Sequence, residues 1–156
     1  MAGLSDSKRE AWRAFLMAHA RLTREMDRRL SEAGLISLEV YDVLVILEYQ
    51  EGYRMKMSDL AAQANFSKSG LTRLVDRLQK KGWIHRERCE EDRRVSYAIL
   101  TAEGKKMREA AWPTYRASIA ELFGDPLISD DSALIWSTKL DEMADKAHKT
   151  WLEATS

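Results

Sequence analysis

This sequence offers little for redox, metal or membrane chemistry. One cysteine, Cys89, in 156 residues excludes an intramolecular disulfide framework and any cysteine-rich zinc site. His19, His85 and His148 stand far apart and lack neighbouring ligands, so none suggests a metal centre. No apolar run approaches the roughly 20 residues needed to cross a bilayer. The opening MAGLSDSKREAW lacks the apolar stretch of a secretory signal, so a cytoplasmic protein without membrane association is expected. Glycine-rich phosphate loops, HExxH and G-x-S-x-G are all missing. The sequence therefore points away from an enzyme and requires no cofactor. No low-complexity segment and no internal repeat is visible.

What is present is ordinary for a soluble helical chain: 45% hydrophobic and 32% charged residues, enough for one cored domain with helical extensions. Net charge is zero, which taken alone weakens a nucleic-acid reading. The average hides an asymmetry. Between Ser67 and Arg94 lie nine basic residues (Lys68, Arg73, Arg77, Lys80, Lys81, Arg86, Arg88, Arg93, Arg94) against five acidic ones (Asp76, Glu87, Glu90, Glu91, Asp92), a balance of +4. The remaining sixteen basic and twenty acidic residues leave −4 elsewhere.

Read in order, residues 5–33 form one long helix with Ser5 or Ser7 as cap. Trp12, Phe15, Leu16, Leu22, Met26 and Leu30 recur near a 3.6 period, and Gly34 is the stop. Ser37 caps a second helix with an apolar stripe of Val40, Tyr41, Val43, Leu44 and Leu47, which breaks at Glu51-Gly52. Tyr53 to Met57 alternates as an edge strand does. Ser58 is then expected to cap a short helix directing Leu60, Ala61 and Ala64 inward.

Asn65-Phe66-Ser67 makes a turn, with Ser67 capping a second short helix. That helix carries Leu71, Leu74, Val75 and Leu78 on one side and ends at Gly82. Its other side presents Lys68, Ser69, Thr72, Arg73, Asp76 and Arg77. Two alternating runs follow. Trp83, His85 and Glu87 stand against Ile84, Arg86 and Arg88, and Val95, Tyr97 and Ile99 share one face of the next strand. Cys89 to Arg94 forms the polar tip between them. Thr101 caps a helix toward Phe123 bearing Met107, Ala110, Ala111, Tyr115, Ile119 and Leu122, with a kink expected at Pro113. After a break at Gly124-Asp125-Pro126, Ser129-Asp130-Asp131 starts a last helix. Its Ala133, Trp136, Leu140, Met143, Ala147 and Trp151 lie close to a heptad seam.

Two short helices joined by a polar turn, then a hairpin with a charged tip, describe a winged helix-turn-helix. Short polar and cationic side chains near the N-terminus of its second helix suit base edges in the major groove. Ser67, Lys68, Ser69, Thr72 and Arg73 are there, with Arg77 one turn further on. Ser67 and Ser69 also suit phosphates beside the helix amides. At the tip, Arg93 or Arg94 suits a narrow minor groove. Asp92 is wrong in sign for phosphate contact and is expected to orient Arg94 or Arg77 by a charge-assisted hydrogen bond.

The run LVDRLQKKGWIHRERCEEDRRVSYAILTAEG resembles the hallmark of the MarR family of bacterial transcription regulators. The acid-x-arginine wing signature stands here as Asp92-Arg93-Arg94, followed by Leu100-Thr101 and Gly104. The resemblance implies a mainly α fold with a small β wing, the winged helix-turn-helix being flanked by N- and C-terminal dimerisation helices. The corresponding segments are 1–36, 37–101 and 102–156. It also implies that Arg94 carries the wing contact, and that the terminal helices interlock in a homodimer bound to double-stranded DNA. The apolar surface of the first and last helices, beyond what a lone winged module needs, points the same way.

A small aromatic or anionic effector is a candidate partner, since family members often bind one between the dimerisation helices and the DNA-binding lobe. Trp12, Arg13, Phe15, His19, Tyr41, Trp112, Tyr115 and Arg116 are the residues such a cleft could draw on, but residues of this kind at helical spacing are more often core, and none is assigned to a ligand. The family's oxidant-sensing cysteine in the first helix is absent here, and Cys89 lies at the wing base instead. The competing reading is a winged-helix protein-interaction or antirepressor module without DNA binding. The basic face of Lys68, Arg73 and Arg77 argues against it.

Overall fold

The computed structural model describes residues 3–90, 92, 94–124 and 128–155. Arg93, Glu91, the Asp125-Pro126 break and the side chains of His148 and Trp151 lie outside the described residues. The chain divides into two compact units, Met1–Arg116 and Ala117–Ser156.

The first unit opens with α1 (Asp6–Glu32). Its C-terminus closes where the Leu35 amide donates to the Leu30 carbonyl at 2.9 Å, wrapping the chain around Gly34. α2 (Leu38–Glu48) starts under two caps. Ser37 accepts from the Val40 amide at 3.4 Å, and Asp27 of α1 accepts from the Leu38 amide at 2.8 Å. The second cap also fastens α1 to α2. After a single 3-10 turn at Glu51–Tyr53 come β1 (Arg54–Lys56), α3 (Met57–Gln63), α4 (Lys68–Lys80), β2 (Ile84–Arg88) and β3 (Ser96–Leu100). The three strands form an antiparallel sheet in the order β1-β3-β2, which leaves β1 at an edge as its sequence suggested.

The core is aliphatic. Leu30, Val43, Leu44, Leu47, Leu60, Leu71, Leu74, Val75, Leu78 and Ile84 are all at most 2% exposed, and Ala98, Leu100 and Ala111 close it from the sheet and α5. At about 1.5–3 kcal/mol for each large side chain removed from water, this cluster is the main force holding the helix-turn-helix to its sheet.

Thr101 joins the sheet to α5 (Ala102–Leu122). Its hydroxyl donates to the Gly82 carbonyl at 2.7 Å and accepts from the Gly104 amide at 3.1 Å, and its own amide donates to the Trp83 carbonyl at 3.1 Å. A Cβ at Gly104 would lie 2.2 Å from the Trp83 carbonyl oxygen, so only glycine lets α5 begin this close to the end of α4. α5 continues through Pro113 as one assigned helix and leaves the first unit for the second. In the second unit, Ser129 accepts from the Ser132 amide at 3.4 Å and α6 runs Asp130–Thr155. No described side chain of α6 is buried, and Leu134, Ile135, Trp136 and Met143 are exposed. Among the described residues, no helix is long and apolar enough to cross a membrane.

One expectation needs correction. Ser58 does not cap α3. The helix starts two residues earlier, at Met57 with Lys56 as its N-cap, and the Ser58 hydroxyl donates to the Asp59 carboxylate at 2.9 Å. In β3, the face opposite Tyr97 and Ile99 is the core face. Ala98 and Leu100 are the buried pair, because the register sets them beside Met55, Arg86 and Ile84 against the helices. Tyr97 lies on the opposite face, where the Arg54 guanidinium sits 4.2 Å from its ring centroid.

Candidate nucleic-acid interface

The candidate reading helix is α4, and local chemistry fixes both of its ends. Ser67 accepts from the Gly70 amide at 3.1 Å to start it. At the far end Gly82, with φ of +74°, lets the Trp83 amide reach the Leu78 carbonyl at 3.0 Å. With Leu71, Leu74, Val75 and Leu78 buried, the opposite side faces outward, and Lys68, Ser69, Arg73 and Arg77 are exposed there. Thr72 is half-buried, and its hydroxyl donates to the Lys68 carbonyl at 2.9 Å. Its methyl group and remaining oxygen lone pairs are thus what it can offer a base edge. Ser67 spends one lone pair on its cap and lies 3.4 Å from the Ser69 hydroxyl.

The wing tip is closed by the Cys89 amide donating to the Val95 carbonyl at 3.0 Å and the Val95 amide to the Asp92 carbonyl at 2.9 Å. Asp92 accepts from the Arg94 amide at 3.0 Å and from Arg94 Nε at 3.2 Å. These bonds, the backbone one first, hold the Asp92 carboxyl below its ordinary range. Of the two partners weighed for Asp92, the structure selects Arg94. The Arg94 side chain is 92% exposed even while so held, which leaves its guanidinium edge accessible.

Within the segment, three carboxylates are engaged by arginines. Asp76 is paired with Arg86 at 3.2 Å, Glu87 with Arg54 at 3.7 Å, and Asp92 with Arg94. Lys68, Arg73, Arg77 and Arg88 enter no ion pair among the described residues. Free cations and engaged carboxylates on one exposed surface suit a polyanion.

Of the residues considered for an effector cleft, Trp12, Phe15 and His19 stack in sequence along α1, with centroids 5.9 and 6.5 Å apart. A separate group joins α2 to α5: Tyr41 meets Tyr115 at 4.4 Å, and Trp112 lies 6.2 Å from Tyr115. Tyr41 is 4% exposed, a core position, and burial pushes both tyrosine hydroxyls up. An open cleft of about 440 Å³ lies elsewhere, lined among others by Leu35, Val40, Arg77, Lys81, Trp83 and Met107. Among the described residues, no group of three or more His, Cys, Asp or Glu side chains is placed to hold a metal ion.

Sequence reading did not find three inter-element ties: Asp76–Arg86, Arg54 with Tyr97 and Glu87, and Glu48–Arg108 between α2 and α5. The partners in the third are 60 residues apart and both are largely buried.

Comparison with known proteins places these features in context. Residues 36–96 match the model of the MarR family. The chain is 32% identical to AbsC, a MarR family transcriptional regulator from Streptomyces coelicolor. Their structures agree over 96% of this chain and 99% of that one, with a TM-score of 0.82. A second regulator from the same organism, Sco3205, solved in complex with DNA, gives 27% identity, 94% and 91% coverage and a TM-score of 0.82. Among curated sequences, the transcriptional repressor MprA of Escherichia coli is 28% identical over 104 residues. That match takes in 67% of this chain but spans only 58% of the length of MprA.

Proposed function

This chain belongs to the MarR family, and on that premise we propose that it is a sequence-specific double-stranded DNA-binding transcription regulator. It acts as a repressor on a pseudo-palindromic operator, is cytoplasmic, and has no catalytic activity of its own. The observation that carries this reading is α4. Its apolar side is fully seated in the core, and its opposite side presents Lys68, Ser69, Arg73 and Arg77 to solvent beside a wing whose Arg94 is oriented by Asp92. Arg73 is the candidate for a bidentate guanine contact, Arg94 for the minor groove, and Ser67, Ser69 and Thr72 for phosphates and base edges. Arg93 is the second candidate for the minor-groove contact. Co-crystallisation of the related Sco3205 with DNA supports the assignment by likeness.

Two half-sites need two lobes. Exposed Trp12, Leu16 and Met17 on α1 and Leu134, Ile135 and Trp136 on α6 support a homodimer formed through segments 1–36 and 102–156. A small aromatic or anionic effector fits the same scheme by altering the spacing of the two lobes.

The test is duplex binding against salt. Genomic fragments retained by the protein define the operator. Log affinity for that duplex should then fall linearly with log salt, with a slope of about −0.9 per phosphate neutralised. Absence of binding at low salt, with and without candidate effectors, would replace this reading with the protein-interaction module.

A further inference from the structure

We infer that Asp76 is a positioning residue: by holding Arg86 it fixes the reach of the wing relative to the recognition helix. The consequence for DNA rests on the binding mode proposed above; the fixing of the wing does not. A winged helix-turn-helix enters two grooves at once, so the offset between α4 and the β2–β3 hairpin must be set before DNA arrives. The apolar seat of Leu74, Val75, Leu78 and Ile84 fixes the depth of α4 on the sheet. It does not by itself fix rotation of the hairpin about that seat.

Arg86 lies on an unexpected face. The register aligns Arg86 with Ala98 and neighbouring Ile84 with Leu100, so alternation places Arg86 on the core side of the sheet with three buried apolar residues. A guanidinium there needs a partner. It finds one across the gap, where Nη1 donates to Asp76 Oδ1 at 3.2 Å. Among the described residues, this is the one ion pair that crosses from α4 to the hairpin. It is half-exposed at both ends, so it adds little to fold stability. What it adds is direction.

Asp76 also lies between Arg73 and Arg77 on the reading helix, where a bare carboxylate would repel phosphates. That gives the test a sign. A carboxylate that merely opposes DNA should raise affinity when removed. In the full-length protein, Asp76→Ala should instead bind the operator about tenfold more weakly, with an unchanged thermal midpoint, and Asp76→Glu should recover most of the loss. Arg94→Ala should cost less in the Asp76→Ala background than in the wild type, because the wing is already misplaced.

Unchanged or increased affinity of Asp76→Ala would overturn the role, as would an equal cost of Arg94→Ala in both backgrounds. A DNA-free measurement keeps the two readings distinguishable. With Cys89 replaced by serine and spin labels at Gln79 and Glu90, the distance distribution should broaden in Asp76→Ala. An unaltered distribution sinks the strut even where wild-type protein binds DNA. If wild-type protein binds no duplex, the DNA reading fails and the label distances alone decide the strut.

Discussion

Leu44 in α2 and Leu134 in α6 are the same residue type in helices, yet one is fully buried and the other 71% exposed. The contrast extends along both regions. Between Leu30 and Ala111 the aliphatic residues of five helices and a sheet close on one another, whereas α6 and the first half of α1 leave Trp12, Leu16, Met17, Ile135 and Trp136 in solvent. A chain that seals one core so completely does not leave large apolar faces open elsewhere for want of packing residues. The lobe is a finished object, and the terminal helices carry surfaces that a second copy would complete. Reading and assembly are thus separable, and mutations should divide accordingly.

The largest expected effect tests that division at the core. Leu44→Ala should destabilise the protein by about 2–5 kcal/mol in denaturant unfolding, while Leu134→Ala should change it by no more than about 0.5 kcal/mol. Comparable losses would mean that Leu134 is seated in its own chain. Next comes the outer face of α4. Arg73→Ala should lose about 1–3 kcal/mol of discrimination between operator and random duplex, and Arg94→Ala should lower affinity for both alike. An equal loss on operator and random DNA for Arg73→Ala would end its base-reading role. Neither change should shift the monomer–dimer equilibrium measured by sedimentation.

On the assembly side, Trp136→Glu should raise the dimer dissociation constant at least about tenfold, roughly 1.4 kcal/mol, with the lobe still folded by circular dichroism. A dimer of undiminished affinity would move the interface elsewhere.

The smallest effect is acid titration of α1. Glu25 accepts from Arg28 and Arg29 at 2.7 and 2.8 Å, and these hydrogen bonds, Arg28 first, lower its carboxyl from 4.5 to about 2. A depressed folded value means that its contribution is present above the ordinary carboxylate range and disappears as pH falls toward 2. Carboxyl NMR should show a midpoint near 2, and one near 4.5 would show that the pairs do not persist in solution.

Much of the lobe was legible because its signals are local. Ser37, Ser67, Thr101 and Ser129 each cap a helix within three residues, and Gly82 stops α4 through its own backbone. Ser58 misled because it is a good cap one residue inside a helix that Lys56 had already begun. For β3, alternation gives two faces but not which one meets the helices. Tyr97 and Ile99 are the bulkier pair, yet little Ala98 faces the core, where packed helices leave small space. Along the candidate interface, residue types at the start of α4 were readable, but the engagement of Asp76 by Arg86 was not. Pairings across 10 or 60 residues depend on where the fold sets two elements, and no periodicity encodes that.

Thr101 deserves a mechanical reading. One hydroxyl takes the Gly82 carbonyl just beyond α4 and the Gly104 amide in the first turn of α5, and Gly104 removes the Cβ that would hold the two apart. The end of α4 and the first turn of α5 are therefore held together by one side chain and one close backbone approach, so a change at Thr101 or Gly104 would be felt by both helices.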